Sequence, residues 1–220
     1  LPPDRLPNPR IAQPGPRFGG KLEIPPHLPD GRRFAGYLFD CDGTLADTMP
    51  LHYRAWRRLL AEHGMPFSEA FFYDLGGKPT ELIFELLRRD HGLVLADVPA
   101  AIQRKEEYFV ELIDEVKPIE AVVSVAREWH GIVPMAVVSG GLRRYVELTL
   151  ETIGIRQLFD AVVCVADYAR AKPFPDPFLE GARRLNVPAV ECLVFEDSPL
   201  GVEAAAAAGM ACVFVPRSDV

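Results

Sequence analysis

The 220-residue sequence lacks several features that would mark other classes of protein. No apolar run approaches the roughly 20 residues that a membrane helix needs, so a helical membrane protein is excluded. Basic charge is short: 24 Lys and Arg stand against 31 Asp and Glu, for a net charge of −7. A surface of that sign leaves no footprint for a phosphate backbone, which argues against nucleic-acid binding. Cysteine is scarce as well. Cys41, Cys164, Cys192 and Cys212 have neither the paired spacing of a metal site nor that of a small disulfide framework. Three of them lie in apolar stretches that read as buried strands, where a thiol behaves as a small hydrophobe. The first residues show no basic-then-apolar leader pattern. A cytoplasmic location is therefore expected, with no membrane partner, as a monomer or weak homodimer.

What is present is the composition of an ordinary globule, 49% hydrophobic and 25% charged. The length fits one large domain, or one domain carrying an insert. Nine of the 21 prolines fall within residues 1–33, a density that forbids helix and central strand. This proline-rich arm is expected to pack on its own chain through Phe18, Leu22 and Ile24. From Phe34 onward, short continuous apolar runs recur at residues 37–39, 134–138, 161–165, 192–195 and 211–215. Runs of that kind suit strands buried on both faces of a parallel sheet. Helical patterns alternate with them: Leu142 to Ile153, Pro177 to Leu185, and an alanine-rich segment that Ser198 can cap with Pro199 in its first turn. The expected fold is α/β, a doubly wound parallel sheet of Rossmann-like type. One stretch departs from the alternation. Residues 50–119 hold no strand pattern but show helical spacing near Leu51–His63, Thr80–His91 and Pro99–Val116. So long an interruption exceeds a crossover and reads as an inserted α-helical cap domain. The core domain would then comprise 34–49 and 120–220.

Polar groups follow the strands in a fixed order. Asp40-Cys41-Asp42-Gly43-Thr44 comes after the first, Ser139-Gly140-Gly141 after the second, Lys172 after the third and Glu196-Asp197 after the fourth. Singly, these are ordinary turn and cap residues. Jointly, parallel strands deliver them to one edge of the sheet, where ligands bind in open α/β folds. Clustered carboxylates need a cation among them, and an all-oxygen set without His or Cys favours Mg²⁺. Lys172 and the Ser139 hydroxyl suit a phosphate, and Gly140 lets the backbone approach it. Repulsion between a carboxylate and a phosphate is about 4 kcal/mol per charge pair at 4 Å for an effective dielectric near 20, and cations would cancel it. Asp40 and Asp42, two positions apart, can then take different roles.

The aspartate-x-aspartate-glycine-threonine motif and the three that follow it resemble those of the haloacid dehalogenase superfamily, over roughly Phe34 to Val215. The nearest group by this resemblance is the β-phosphoglucomutase-like phosphatases. The resemblance implies that Asp40 is the nucleophile and a metal ligand. It implies that Asp42 is general acid and then base, with its carbonyl on the metal and Thr44 orienting it. Ser139 and Lys172 would hold the phosphoryl group, and Asp197 and Glu196 would complete the metal site. A carboxylate at Asp42 also separates phosphate-ester chemistry from the halide and phosphonate chemistries of the superfamily.

In the cap, His52 lies ten residues beyond Asp42. It is expected either to contact substrate or to modulate Asp42, a solvent-facing histidine being the alternative. Trp56 reads as core. Leu75 to Thr80 resembles a substrate-specificity loop, with Lys78 supplying charge. The mutase's distal-phosphate arginine is missing near Thr80, which favours hydrolysis. Lys105 reads as a helix-surface charge. The expected activity is that of a Mg²⁺-dependent phosphatase acting on a small phosphorylated metabolite, a sugar phosphate or sugar-acid phosphate, through an aspartyl-phosphate. A β-phosphoglucomutase-type mutase and a non-catalytic phosphate-binding module are the alternatives.

Overall fold

A computed structural model describes His27, Gly31 and residues 33–216. The expected packing of Phe18, Leu22 and Ile24 lies outside the described residues. The apolar runs form five parallel strands: β1 (Gly36–Phe39), β2 (Met135–Val138), β3 (Ala161–Val163), β4 (Cys192–Glu196) and β5 (Ala211–Phe214). Their order in the sheet is β3-β2-β1-β4-β5. Successive side chains leave a strand on opposite faces, and both faces here are covered. Tyr37 and Phe39 pack with Val122, Val146 and Leu150 beneath α5 (Glu120–Trp129) and α6 (Arg143–Thr152). Leu38 turns the other way, to Phe178, Ala182 and Ala204 of α7 (Asp176–Leu185) and α8 (Pro199–Ala207). Phe39 pairs in register with Phe195, and their rings stack with centroids 4.5 Å apart. Burying an aromatic of this size stabilises the fold by roughly 1.5–3 kcal/mol.

Between β1 and β2 the chain builds α1 (Met49–Glu62), α2 (Glu69–Asp74), α3 (Thr80–His91) and α4 (Val98–Val110). These helices have an apolar cluster of their own, in which Trp56, Leu59, Phe84, Leu87, Tyr108 and Phe109 are buried. Local signals start them. Pro50 stands in the first turn of α1, and the Asp97 side chain accepts from the Ala100 amide at 3.0 Å to cap α4.

The expected helix to Val116 stops at Val110, and Ile113 and Val116 are buried from a 3₁₀ turn instead. α2 and α5 were not anticipated. Six residues leave α2 too short for a periodic signal, and the valines of α5 fit strand as well as helix. Among the described residues, no helix is long and apolar enough to cross a membrane. The feature that matters for function is the sheet order: β1 is flanked by β2 on one side and β4 on the other. That reversal opens a crevice beyond the carboxyl ends of the strands.

Candidate active site

The crevice is where the strand-end residues meet. Asp40 directly follows β1, and its amide continues the ladder to the Phe195 carbonyl at 3.0 Å. Lys172, 132 residues away in sequence, donates to Asp40 Oδ1 at 2.7 Å and to Glu196 Oε2 at 2.7 Å. All three are buried. The other oxygen of Glu196 accepts from the Ser198 amide at 2.9 Å and hydroxyl at 2.7 Å. Ser198 Oγ in turn accepts from the Gly201 amide, so the expected cap of α8 also anchors Glu196. Asp197 completes a cluster with Asp40 and Glu196 whose ligand oxygens lie within 4.8 Å of one another. Gly43 makes this possible. Its φ is +86°, and a Cβ there would fall 2.3 Å from Asp197 Oδ2.

Crowding shows in the titration of these groups. Burial, with the charges of Glu196 and Asp42, pushes Asp40 up to about 7 despite the opposing pull of Lys172. Burial and the charges of Asp40 and Glu196 push Asp197 well above the usual carboxylate range. Burial alone would push Lys172 down, but Asp40 and Glu196 outweigh it and the net shift is upward. A set of oxygen donors that repel one another when ionised fits a hard divalent cation. Asp40, Asp197 and Glu196 are the side chains that could hold one.

Asp42 lives in different surroundings. Thr48 donates to its Oδ1 at 2.7 Å, His52 Nε2 lies 3.4 Å from the same oxygen, and Ser139 donates to Oδ2 at 3.4 Å. Burial pushes Asp42 up. The hydrogen bond and charge of His52, the Thr48 hydroxyl and the Lys105 charge outweigh it, leaving the carboxyl at about 2. His52 is itself positioned. Its ring stacks on Phe109 with centroids 4.1 Å apart, and Lys105 Nζ lies 2.9 Å from its Nδ1. The ammonium can only donate, so Nδ1 accepts and Nε2 carries the proton directed at Asp42. Lys105 also donates to Glu106 Oε1 at 3.0 Å.

The structure thus brings Asp40, Asp42, Lys172, Glu196 and Asp197 to one cavity of about 740 Å³, whose wall also includes Gly140, His52, Lys78 and Thr80. Ser139 lies buried behind it, reaching in through Asp42. Lys78 donates to the Asp74 carbonyl at 3.2 Å. Trp56 is buried in the apolar cluster of the helices between β1 and β2, in keeping with its reading as a core residue, and also faces the cavity. The Cys41 thiol is buried and pushed up, chiefly by burial, so it is not a nucleophile.

Two expectations are corrected. Thr44 does not orient Asp42: its hydroxyl lies 3.4 Å from Asp197 Oδ1, and Thr48, one turn earlier than His52 on the chain, holds Asp42 instead. Lys105 is not a surface charge, being only 3% exposed. The signal was available: Ala101, Lys105, Tyr108 and Phe109 fall on one helical stripe whose other members are apolar. Glu106 and Thr48 were not singled out at all.

Four strand-end motifs around an acid-and-lysine centre, under a helical layer, define a phosphoryl-transfer type of α/β hydrolase. The chain belongs to the haloacid dehalogenase-like hydrolase family, whose model matches residues 34–209, and it shares the fold of the β-phosphoglucomutase of Clostridium difficile, which superposes with a TM-score of 0.76 at 23% identity, covering 84% of this chain and 92% of that one. It is 40% identical over 189 residues to the fructose-1-phosphate phosphatase YqaB of Escherichia coli, covering 83% of this chain and 97% of that one. It is 28% identical to a phosphorylated carbohydrates phosphatase of Thermotoga maritima, covering 80% of this chain and 82% of the relative. Among solved structures, CbbY from Rhodobacter sphaeroides in complex with phosphate superposes with a TM-score of 0.75 at 28% identity, covering 83% of this chain and 86% of that one.

Proposed function

We propose that this phosphatase is Mg²⁺-dependent, acts on small phosphorylated sugars and works through an aspartyl-phosphate on Asp40. The observation that carries the reading is the placement of two aspartates, two residues apart, in opposite environments at one cavity. Asp40 shares Lys172 with Glu196, whereas Asp42 is held by Thr48 and His52. A cation bound by Asp40, Asp197 and Glu196, with the Asp42 carbonyl, would neutralise the carboxylates and the phosphate charge as these meet. Lys172 and Ser139, with the amides around Gly140, hold the phosphoryl oxygens.

An Asp40 oxygen attacks phosphorus, the ester P–O bond breaks, and the leaving alkoxide takes a proton from Asp42. The arriving phosphate dianion lies beside Asp42, and that like charge raises it toward the protonated form this step needs. In the second half Asp42 removes a proton from water, whose oxygen attacks phosphorus. The Asp40–P bond then breaks, releasing inorganic phosphate. His52, oriented by Lys105, keeps Asp42 aimed through both halves.

Residues 50–119 act as the cap that closes over the core of 34–49 and 120–220 and excludes bulk water. The sugar end of the substrate is supported by the relatives, one a fructose-1-phosphate phosphatase and one a phosphatase of phosphorylated carbohydrates. Four free cysteines fit a reducing cytoplasm.

The test is phosphate release by purified protein from fructose 1-phosphate and a panel of sugar monophosphates, with Mg²⁺ and with chelator. Metal-dependent release is expected. Conversion of β-glucose 1-phosphate to glucose 6-phosphate in place of release would establish a mutase. No turnover of any ester would leave a phosphate-binding module.

A further inference from the structure

The cap side of the cavity carries charge that the phosphoryl chemistry does not use. Glu106 sits on α4 with its side chain nine-tenths buried, and it lines the same cavity as Asp42 and His52. Its Oε1 accepts from Lys105. Oε2 has no hydrogen-bond partner among the described residues, and it is not sealed away, since no buried side-chain oxygen there is left unpaired. An accessible oxygen on a largely buried carboxylate is an acceptor waiting for a donor.

Two of the three lysines at the wall are already paired with carboxylates. Lys172 is taken by Asp40 and Glu196 and Lys105 by Glu106 and His52, while Lys78 gives one of its three N–H donors to the carbonyl of Asp74. Among the described residues no arginine lines the cavity, whose six carboxylates face three lysines. A second anionic group on the substrate would therefore meet twice as many carboxylates as lysines, with Lys78 alone not paired to a carboxylate, and Glu106 would repel it. A sugar hydroxyl would find an acceptor. The position suits the leaving group, because Asp42, which protonates that group, is linked to Glu106 through His52 and Lys105.

We infer that Glu106 is a specificity residue: it takes a hydrogen bond from a hydroxyl on the uncharged end of a sugar monophosphate and turns away substrates bearing a second phosphate or a carboxylate. This deepens the phosphatase reading and rests on it. It also narrows the sequence expectation, which admitted sugar-acid phosphates.

The experiment compares kcat/KM, with Mg²⁺, for fructose 1-phosphate, fructose 1,6-bisphosphate and 6-phosphogluconate. Wild type should prefer the first by tenfold or more. Glu106→Gln keeps the shape but loses the charge, and should cut that preference about ten- to a hundredfold, the range for a hydrogen bond to a charged group. The change should fall mainly in KM, and calorimetric Kd values in an Asp40→Asn background should move with it. Thr80→Arg leaves the Lys105–Glu106 pair untouched and adds a cation to the same cavity. It should raise kcat/KM for the bisphosphate at least tenfold, which keeps the idea testable if the Gln variant does not fold. Turnover of all three substrates within threefold of each other overturns the inference while the phosphatase reading stands, as does a preference that survives in a well-folded Glu106→Gln. Failure to release phosphate from any ester sinks the phosphatase reading itself.

Discussion

The sheet edge and the helices between β1 and β2 meet at one cavity, but they hold their polar groups in different ways. At the sheet edge the groups are set by backbone register. Asp40 directly follows β1, Glu196 ends the neighbouring β4, and Lys172 joins them. These charges are crowded and buried, so the arrangement stores repulsion that a bound cation would relieve. Across the cavity, His52, Lys105 and Glu106 hang from the faces of α1 and α4 and form a chain of contacts that ends on Asp42, which Thr48 also holds from the start of α1. Nothing there is left strained by charge. Strand ends supply precision for the reacting centre, whereas helix faces offer positions that can be altered without dismantling it. Buried charge of the first kind is kept for function at some cost in stability.

The sharpest way to break this contrast is at the sheet edge. Asp40→Asn should reduce turnover by about a thousandfold or more, as loss of a nucleophile does, while circular dichroism stays that of the native protein. Near wild-type kcat in a purified sample would remove Asp40 from the mechanism. Lys172→Met should come next. It leaves Asp40 and Glu196 buried without their cation, which costs roughly 3–5 kcal/mol for a broken buried pair, and it should lower kcat by about a hundredfold. Urea melts with and without Mg²⁺ separate the two effects. The metal should restore part of the stability by binding only the folded state, and little of the activity. An unchanged melt would mean that Lys172 is not the counter-charge described here.

On the cap the expected losses are smaller. His52→Ala should lower kcat about ten- to a hundredfold, the usual range for impaired acid–base catalysis. Lys105→Met should do somewhat less, because the ring stack on Phe109 still holds the imidazole. Neither should alter the Mg²⁺ affinity measured by calorimetry. A variant at His52 or Lys105 that weakened metal binding tenfold or more would erase the distinction between the two regions.

Legibility in the sequence follows the same division. Continuous apolar runs ending in acid can be read as buried parallel strands, and parallel strands place their ends together whatever their distance along the chain. That is why Asp40, Ser139, Lys172 and Glu196 could be grouped in advance. Helix faces carry no such guarantee. Whether His52 reached Asp42 depended on how α1 and α4 pack, which spacing alone does not set. The charge of Lys105 hides its place on an apolar stripe, and Thr44 is closer in sequence to Asp42 than Thr48, which reaches it only because the chain turns there to start α1. Local signals were reliable where one residue satisfies a backbone group, as with Ser198 at the start of α8.

A control for the whole comparison lies in the core but away from the cavity. On α7, Glu180 accepts from Arg183 Nε at 2.7 Å and Nη2 at 2.8 Å, and from Arg184 Nε at 2.7 Å. The Arg183 hydrogen bonds lead in lowering it. Burial opposes them and Arg184 adds to them, so the carboxyl falls from its usual 4.5 to about 2. The folded protein therefore binds this proton less readily than the unfolded chain. The stabilisation is present above about pH 4.5 and is lost as pH falls from there through about 2. Because Arg183 is well exposed, solvent screening holds the effect to about 1 kcal/mol. Urea unfolding between pH 6 and pH 3 should show it as a slope that Glu180→Gln flattens, with kcat at pH 7 unchanged. If activity fell along with that slope, the ion pairs of α7 would be coupled to the reacting centre. The separation between a strand-end site and its supporting helices would then be false within the core itself.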